Sequence, residues 1–288
     1  MAAASWLCSI ILTLLLSLCA EATMGRKLIS IPTKEQGENG HLLTPMNKVK
    51  DDDDDDNDDP SLYMYFSIDD LQTTKKLPIY FYKNSLRNLP PLLSKEKADS
   101  IPFSRKKLSF LLHYFSISKN SPQGKAMKET LGHCDAKTIE GEVKFCATSL
   151  ESMLDLVKET LGHDTKLRVL TTRFQALSEK NVSYTLKNYT FEEAPKELVG
   201  VRMLGCHRMP YPYVVYYCHG HRGGSRVFEV SLVEADGVRQ RVVGPAVCHM
   251  DTSTWDKDHV AFKVLKMEPG SAPVCHFFPI DNIVWVTM

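Results

Sequence analysis

The sequence has no excess of either charge: 35 basic residues balance 35 acidic ones in a chain of 288 residues. A chain without net charge has no overall electrostatic attraction for nucleic acid or for an anionic membrane, so neither is expected as a partner. The sequence also lacks a G-x-S-x-G elbow, a phosphate-binding glycine loop and an H-E-x-x-H pair. The hydrolase, nucleotide-binding and zinc-protease classes that depend on these motifs are therefore excluded.

Long hydrophobic runs are missing as well. The apolar run near the N-terminus covers residues 6–20, which is too short to span a bilayer comfortably, and Ala20-Glu21-Ala22 matches a small-x-small cleavage site. We expect residues 1–22 to be a signal peptide, Thr23 to begin the mature chain, and the protein to enter the secretory pathway without a stable membrane span. An anchor helix is the alternative, because "MAAASW" contains no Lys or Arg.

Cysteines are few, and no two are separated by only two to four residues, the spacing with which structural zinc sites usually hold their ion. Cleavage of the leader would remove Cys8 and Cys19. In an oxidising compartment the remaining cysteines are expected to form disulfides. They are Cys134, Cys146, Cys206, Cys218, Cys248 and Cys275. The sequence leaves the pairing open, apart from a suggested local bridge between Cys134 and Cys146.

Two parts of the mature chain are strongly polar. Residues 23–60 show little apolar periodicity and end in "DDDDDDNDDP", whose mutual repulsion predicts a disordered, solvated leader or linker. Calcium binding is a weaker interpretation, because an EF-hand needs spaced ligands and a glycine turn. Farther on, Asn181 and Asn188 begin N-glycosylation sequons, which agree with passage through the secretory pathway.

Residues 61–288 have a globular composition, and their first half shows the clearer helical signals. Leu108, Leu111, Leu112 and Phe115 form one apolar stripe, and a second helix is predicted to start at Ser121-Pro122. A third helix is predicted from a capping box over Thr148-Ser149-Leu150-Glu151, with a stripe of Leu150, Leu154, Val157 and Leu161. The hexapeptide "KETLGH" occurs twice and predicts helix ends at Gly132 and Gly162.

Strand signals occur at the start of the domain and dominate after residue 165. "LYMYFSI", "LPIYFY", "VAFKVL" (260–265) and "IVWV" (283–286) are rich in β-branched and aromatic residues. Phe228, Val230 and Leu232 alternate with polar residues ahead of an Asp236-Gly237 turn, which predicts a hairpin. We therefore expect an α+β fold: an N-terminal helical half packed on a mainly antiparallel sheet that disulfides staple together.

Histidine directly follows cysteine four times, at His207, His219, His249 and His276. Neighbouring side chains on a strand point to opposite faces, so the cysteines can cross-link strands on one side while the imidazoles stay free on the other. Neutral imidazoles are ligands for copper and zinc, and copper suits an oxidising compartment. The four histidines are therefore candidate metal ligands, alongside the alternatives of surface or core histidines. His221, in an H-x-H with His219, is a weaker candidate, as is His259.

The spacing CH-x10-CH-x28-CH-x25-CH, carried by "CHRMPYPYVVYYCH", "AVCHM" and "APVCHFFPIDNIVWV", resembles the signature of the plant BURP-domain family. "LYMYFSIDDL", "SPQGKAM" and "KFCATSLESMLD" extend the resemblance over residues 61–288, and the chain is most similar to the unknown-seed-protein-like branch. The resemblance implies a BURP-domain fold. It also implies, for some members, copper-dependent peptide cyclisation with the histidines of the Cys-His motifs as copper ligands.

Three functions follow from this resemblance. The first is a secretory protein of plant and seed development, located along the route from the Golgi to the protein storage vacuole or in the cell wall. The second is a copper-dependent oxidative peptide cyclase acting on a peptide substrate, although residues 23–60 contain no Trp or Tyr to cross-link. The third is a structural protein associated with cell-wall polysaccharide.

Overall fold

The computed structural model describes residues 63–81, 90–176, 186–221, 224–235 and 240–288. The predicted signal peptide, the acidic leader, Asn181 and the Asp236-Gly237 turn lie outside these residues. In the described part of the chain, no helix is both long enough and apolar enough to cross a bilayer.

Short helices and many strands alternate along the chain. The described helices are α1 (Lys95–Asp99), α2 (Leu108–Tyr114), α3 (Pro122–Asp135), α4 (Leu150–Leu161) and α5 (Val260–Leu265). The described strands are β1 (Tyr65–Ser67), β2 (Lys76–Tyr80), β3 (Glu142–Ala147), β4 (Leu167–Leu170), β5 (Arg173–Ala176), β6 (Leu186–Phe191), β7 (Lys196–Glu197), β8 (Met203–Met209), β9 (Val215–His221), β10 (Ser225–Glu234), β11 (Gln240–His249), β12 (Val274–Phe277) and β13 (Ile283–Thr287). Short 3-10 turns cover Ile68–Asp70 and Arg105–Lys107.

These strands form two antiparallel sheets in the described part of the chain. The larger sheet has the order β1-β12-β11-β10-β6-β2, with β5 paired to β11 and β7 to β10. The smaller sheet has the order β3-β9-β8-β13-β4. The two sheets pack face to face through one apolar cluster, which contains Val227 and Val247 from the larger sheet and Met203, Val284 and Val286 from the smaller one.

The opposite, outer face of each sheet has its own core. On the smaller sheet, Met153, Val157 and Leu161 of α4 pack against Leu204 and Trp285. On the larger sheet, apolar side chains from β1, β2, β6 and β12 fill the outer face, including Phe66, Ile79, Tyr189 and Phe277. A separate cluster packs α2 and α3 against the β8–β9 connection. Each sheet is thus buried on both faces, which explains why strands such as β8 and β11 are almost continuously buried.

The predicted helical half packed on one sheet is therefore wrong. Strands are the dominant element, and β1 and β2 from the N-terminal end of the domain join the larger sheet, where β1 pairs with β12 and β2 with β6. The helices of the first half cover the smaller sheet and the β8–β9 connection instead of forming a layer of their own. The sequence patterns identified most elements locally but did not show that the strands divide between two sheets.

Several local predictions hold with small shifts. Ser121 caps α3 with Pro122 in its first turn, and α2 buries Leu111 and Leu112. The third predicted helix is α4, but its capping box joins Ser149 to Ser152 instead of Thr148 to Glu151. Of its predicted stripe, Val157 and Leu161 are buried, Leu154 is partly buried and Leu150 is exposed, whereas the unpredicted Met153 is buried.

One of the two predicted helix ends is confirmed, and one predicted strand is a helix. Gly162 ends α4 with a φ of +109°, as predicted, whereas Gly132 lies inside α3. "VAFKVL" is the helix α5 and not a strand. His259 caps it by accepting the N–H of Ala261 on Nδ1. Ala261 and Phe262 are buried, and Leu265 packs partly buried against the same cluster. The hairpin prediction is confirmed in its strands: Phe228 faces Ala246 and Leu232 faces Val242 across β10 and β11.

Candidate functional site

The four Cys-His pairs lie on two pairs of neighbouring strands, one pair in each sheet. Cys206-His207 is on β8 and Cys218-His219 on β9 of the smaller sheet, while Cys248-His249 is on β11 and Cys275-His276 on β12 of the larger sheet. Because consecutive side chains alternate across a strand, every cysteine enters the outer core of its sheet and every histidine enters the space between the sheets. The four cysteines are completely buried.

The prediction of disulfide bonds is confirmed. Cys206 and Cys218 are direct cross-strand partners, bonded with their Cα atoms 3.9 Å apart, and Cys248 and Cys275 repeat this arrangement at 3.9 Å. The structure also joins Cys134, at the end of α3, to Cys146 on β3, which is the local pair that the sequence suggested. Each Cys-His motif is therefore held in register with its neighbour by a covalent bond.

The four imidazoles meet between the sheets and are called the histidine cluster below. The Nε2 atoms of His207 and His219 are 3.3 Å apart, and those of His249 and His276 are also 3.3 Å apart. Ring centroids are 5.6 Å apart from His207 to His276 and 5.7 Å apart from His219 to His249, which closes a circuit of four rings. Residues far apart in the sequence thus form one compact group.

The histidine cluster is uncharged at neutral pH. Loss of contact with water is the main cause that lowers the pKa of His219 and of His276 from 6.5 to about 4, and nearby cationic groups act in the same direction. Desolvation, followed by the charges of neighbouring imidazoles, also holds the pKa of His207 and of His249 well below 6.5. Protonation of one ring would disfavour protonation of the next, so the rings keep their lone pairs at neutral pH.

Aromatic side chains surround the cluster. Phe278 stacks on His207 at 5.0 Å and contacts His276 at 4.8 Å between ring centroids. Trp255 meets the edge of His249 at 5.0 Å, and Tyr65 on β1 lies 6.1 Å from His276. Burial raises the pKa of Tyr65 to about 12, so its phenol is neutral. This shell keeps the site apolar, and sequence reasoning did not assign Trp255 or Phe278 to it.

The chemistry of the cluster fits copper or zinc, both of which accept neutral imidazole. Two nitrogens bound to one tetrahedral ion at about 2 Å lie roughly 3.3 Å apart, which is the Nε2 separation within each pair. Among the described residues, no three His, Cys, Asp or Glu donors converge as in a formed metal centre.

His221 and His259 are placed differently. His221 donates from Nε2 to the carbonyl oxygen of Glu140 at 3.1 Å, and its ring lies against Gly141 and Gly224 at the end of β9. It has no ring contact with His219 in the described part of the chain. His259 lies beside Trp255 at 4.8 Å, but its Nδ1 caps α5. The weaker candidates thus stand outside the circuit of four rings.

One polar residue of the site gave no signal in the sequence. Asn282, just before β13, is buried and places its side-chain amide 3.1 Å from Nδ1 of His207. The same side chain accepts the backbone N–H of Arg208. A single asparagine in "PIDNIVW" has no spacing or repetition that would mark it. Of the predicted glycosylation sites, Asn188 is described; it is exposed on β6, and its use stays a prediction.

Comparison with known proteins places these residues in a wider context. A family model described as the BURP domain matches residues 64–287. BURP domain protein USPL1 of Arabidopsis thaliana is 68% identical over 267 residues, covering 93% of this chain and 92% of that protein. BURP domain-containing protein BNM2A of Brassica napus is 61% identical over 275 residues, covering 95% and 94%. BURP domain protein RD22 of Arabidopsis thaliana is 36% identical over 228 residues, covering 78% and 56%.

Proposed function

The chain belongs to the plant BURP-domain family, and from that premise we propose that it is a secreted protein whose histidine cluster binds one copper ion. The observation that supports this most strongly is the meeting of four neutral imidazoles from both sheets, with Nε2 atoms 3.3 Å apart in each pair. Copper bound there would supply one-electron redox chemistry. The chain's own residues hold the ligands, exclude water and keep the rings unprotonated.

The arrangement favours imidazole coordination over thiolate coordination. All six cysteines of the described domain are consumed in disulfides. Oxidised sulfur is a poor ligand, so the soft thiolate set that selects structural zinc is removed. Four nitrogens remain, and among common ions copper(II) binds such donors most tightly. The disulfides contribute indirectly, because they keep each histidine opposite its partner on the neighbouring strand.

We place this role in plant and seed development, along the route from the Golgi to the protein storage vacuole or to the cell wall. The predicted signal peptide and the sequons at Asn181 and Asn188 support passage through the secretory pathway. Disulfides form and persist in the oxidising compartments of that route.

The test is a copper(II) titration of the purified protein, followed by calorimetry. Replacing His219 by Ala removes one ring of the cluster, and we expect the dissociation constant to rise at least tenfold while the protein stays folded. His221→Ala is the matched control, because it removes a histidine from the same strand but outside the circuit of four rings. Equal effects of the two substitutions, or no copper binding by the unaltered chain, would contradict the proposal.

Copper-dependent oxidative cross-linking of a peptide is the second candidate, and one observation favours it. Tyr65 and Trp255, side chains that one-electron oxidation can activate, lie against His276 and His249. Each cross-link would remove two hydrogens from the substrate, with the two electrons and two protons passing to dioxygen. Incubation with copper(II), air and Tyr-containing or Trp-containing peptides should then lower the peptide mass by two hydrogens. Unchanged peptide masses would contradict the cross-linking activity and leave only the proposed copper binding.

A further inference from the structure

We propose that Asn282 is a positioning residue that holds the proton of His207 on Nε2, and that His207 therefore braces the histidine cluster instead of ligating its metal. The second half of this inference rests on the proposed copper site. The first half concerns the metal-free protein alone and depends only on hydrogen bonds among described residues.

The orientation of the Asn282 amide follows from its main-chain partner. The backbone N–H of Arg208 can only donate, and it lies 3.1 Å from one end of the amide, so that end is the oxygen Oδ1. The other end is then the NH2 group. It faces Nδ1 of His207 at 3.1 Å. Asn282 is only 4% exposed, so water does not compete freely for either contact.

The tautomer of His207 follows in turn. Nδ1 must accept the hydrogen bond that the Asn282 NH2 group donates, so in a neutral ring the hydrogen sits on Nε2. That N–H points to Nε2 of His219 at 3.3 Å and donates to it. His207 thus has no lone pair on the nitrogen that faces its partner, whereas His219 has one there.

Neither obvious rearrangement frees Nε2 of His207. Moving the proton to Nδ1 would place it against the NH2 group of Asn282, and turning the amide over would place NH2 against the N–H of Arg208. In each case two donors face each other in a buried site, which leaves at least one of them without an acceptor. The amide of Asn282 therefore stabilises one tautomer against both alternatives.

In the larger sheet, His276 carries its ring hydrogen on the opposite nitrogen, Nδ1. Nδ1 of His276 lies 3.3 Å from the carbonyl oxygen of Phe277, which can only accept, so the hydrogen sits on Nδ1 and Nε2 carries the lone pair. A ring N–H donated to a carbonyl is the usual support of a metal-binding histidine. His249 then donates from Nε2 to His276. In the described part of the chain, Nδ1 of His249 has no hydrogen-bond partner that would fix the tautomer. The hydrogen of His249 can therefore move to Nδ1, which frees Nε2 to bind a metal. The geometry favours His219, His249 and His276 as ligands.

The spectroscopic test uses the unaltered, metal-free protein labelled with nitrogen-15. Long-range proton–nitrogen correlation spectra should show the hydrogen of His207 on Nε2 and that of His276 on Nδ1. In Asn282→Asp a carboxylate oxygen can accept from both Arg208 N–H and His207 Nδ1–H, so Nδ1 of His207 should become protonated. Asn120→Asp adds the same charge at an exposed residue before α3 and should leave the spectrum unchanged. A hydrogen on Nδ1 of His207 in the unaltered protein would overturn the inference.

The ligand assignment is tested by copper(II) affinity. In the unaltered background, His207→Ala should raise the dissociation constant less than threefold, whereas His219→Ala should raise it at least tenfold. In the Asn282→Asp background, where the proton has left Nε2, His207→Ala should also raise it at least tenfold. Equal losses for His207→Ala and His219→Ala in the unaltered background would overturn the assignment. Absence of any copper binding would overturn the proposed function and the assignment together, while the spectra would still decide the role of Asn282.

Discussion

The two Cys-His pairs of the smaller sheet and the two of the larger sheet have the same covalent and ring geometry but different surroundings. In both, a disulfide joins directly opposed strand residues with Cα atoms 3.9 Å apart, and two Nε2 atoms are 3.3 Å apart. In the smaller sheet, however, the Asn282 amide donates to Nδ1 of His207, whereas in the larger sheet Nδ1 of His276 donates to a main-chain carbonyl.

This difference separates what the repeated motif determines from what its context determines. The Cys-His sequence on an extended strand places sulfur on one face and imidazole on the other wherever it occurs. Which ring nitrogen carries the proton depends on partners outside the motif, namely Asn282 for His207 and the carbonyl of Phe277 for His276. Residues that are equivalent in the sequence pattern therefore need not be equivalent in the site.

The largest expected effect comes from removing the disulfides, which should act alike in the two sheets. Chain entropy predicts a loss of about 3 kcal/mol for Cys206→Ala/Cys218→Ala and about 0.7 kcal/mol more for Cys248→Ala/Cys275→Ala, because the closed segments span 12 and 27 residues. Urea unfolding measures the difference. The Cys134–Cys146 bond also spans 12 residues but lies outside the histidine cluster. Its removal should lower the free energy of unfolding by a similar amount without weakening copper binding. Unchanged stability in all three double variants would contradict the conclusion that the disulfides brace the strands.

Acid should destabilise the protein through the buried rings of the histidine cluster, whose pKa values are all lowered. The pKa of His219 and of His276 is about 4 in the folded protein and 6.5 when the rings are exposed by unfolding. The unfolded chain therefore binds protons first, so stability is complete above about pH 6.5 and falls as the pH drops toward 4. The loss is roughly 3 kcal/mol for the buried His276. Unfolding free energies measured between these pH values should show that His219→Gln and His276→Gln each flatten the profile, while His113→Gln, on the exposed side of α2, does not. A profile flattened by only one of the two would show that the pairs differ in burial as well as in hydrogen bonding.

The smallest effect is expected at Phe278, whose ring contacts one histidine from each pair. Replacing this buried side chain by Leu keeps it apolar, so we expect a loss of about 1 kcal/mol. The imidazole resonances of His207 and His276 should shift together, because the same ring contacts both. Urea unfolding and the NMR spectrum check the two statements. A shift confined to one histidine would mean that the two pairs are not coupled through Phe278.

Much of the site could be predicted because it depends on local geometry. The opposite directions of neighbouring Cys and His side chains follow from strand pleating, and "CHRMPYPYVVYYCH" contains the connection between β8 and β9 and both cysteines of their disulfide. The helix starting at Pro122 and the end of α4 at Gly162 were likewise visible as capping signals. Such features need only a few consecutive residues.

The remainder depends on contacts that no short pattern encodes. The pairing of β1 with β12 joins the two ends of the domain, so the division into two sheets is invisible to local periodicity. "VAFKVL" is too short for its apolar period to separate a strand from a helix, and His259, which caps α5, is not a usual N-cap residue. Either Thr148 or Ser149 could cap α4 by its side-chain chemistry, and in the structure the N-cap is Ser149. Asn282 acts through two hydrogen bonds to β8, which only the folded chain brings together.

The most direct test of the central claim is an electron paramagnetic resonance spectrum of the protein loaded with one equivalent of copper(II), with free thiols counted on the same sample. The central claim is that the cysteines form disulfides that brace the strands while the imidazoles bind the cation. It predicts coupling of the unpaired copper electron to imidazole nitrogens, and no free thiol. It also predicts that His219→Ala/His276→Ala weakens this coupling, because one ring is lost from each sheet and His249 alone of the three proposed ligands remains. A copper signal with sulfur character, or an unchanged nitrogen coupling in the double variant, would contradict the account.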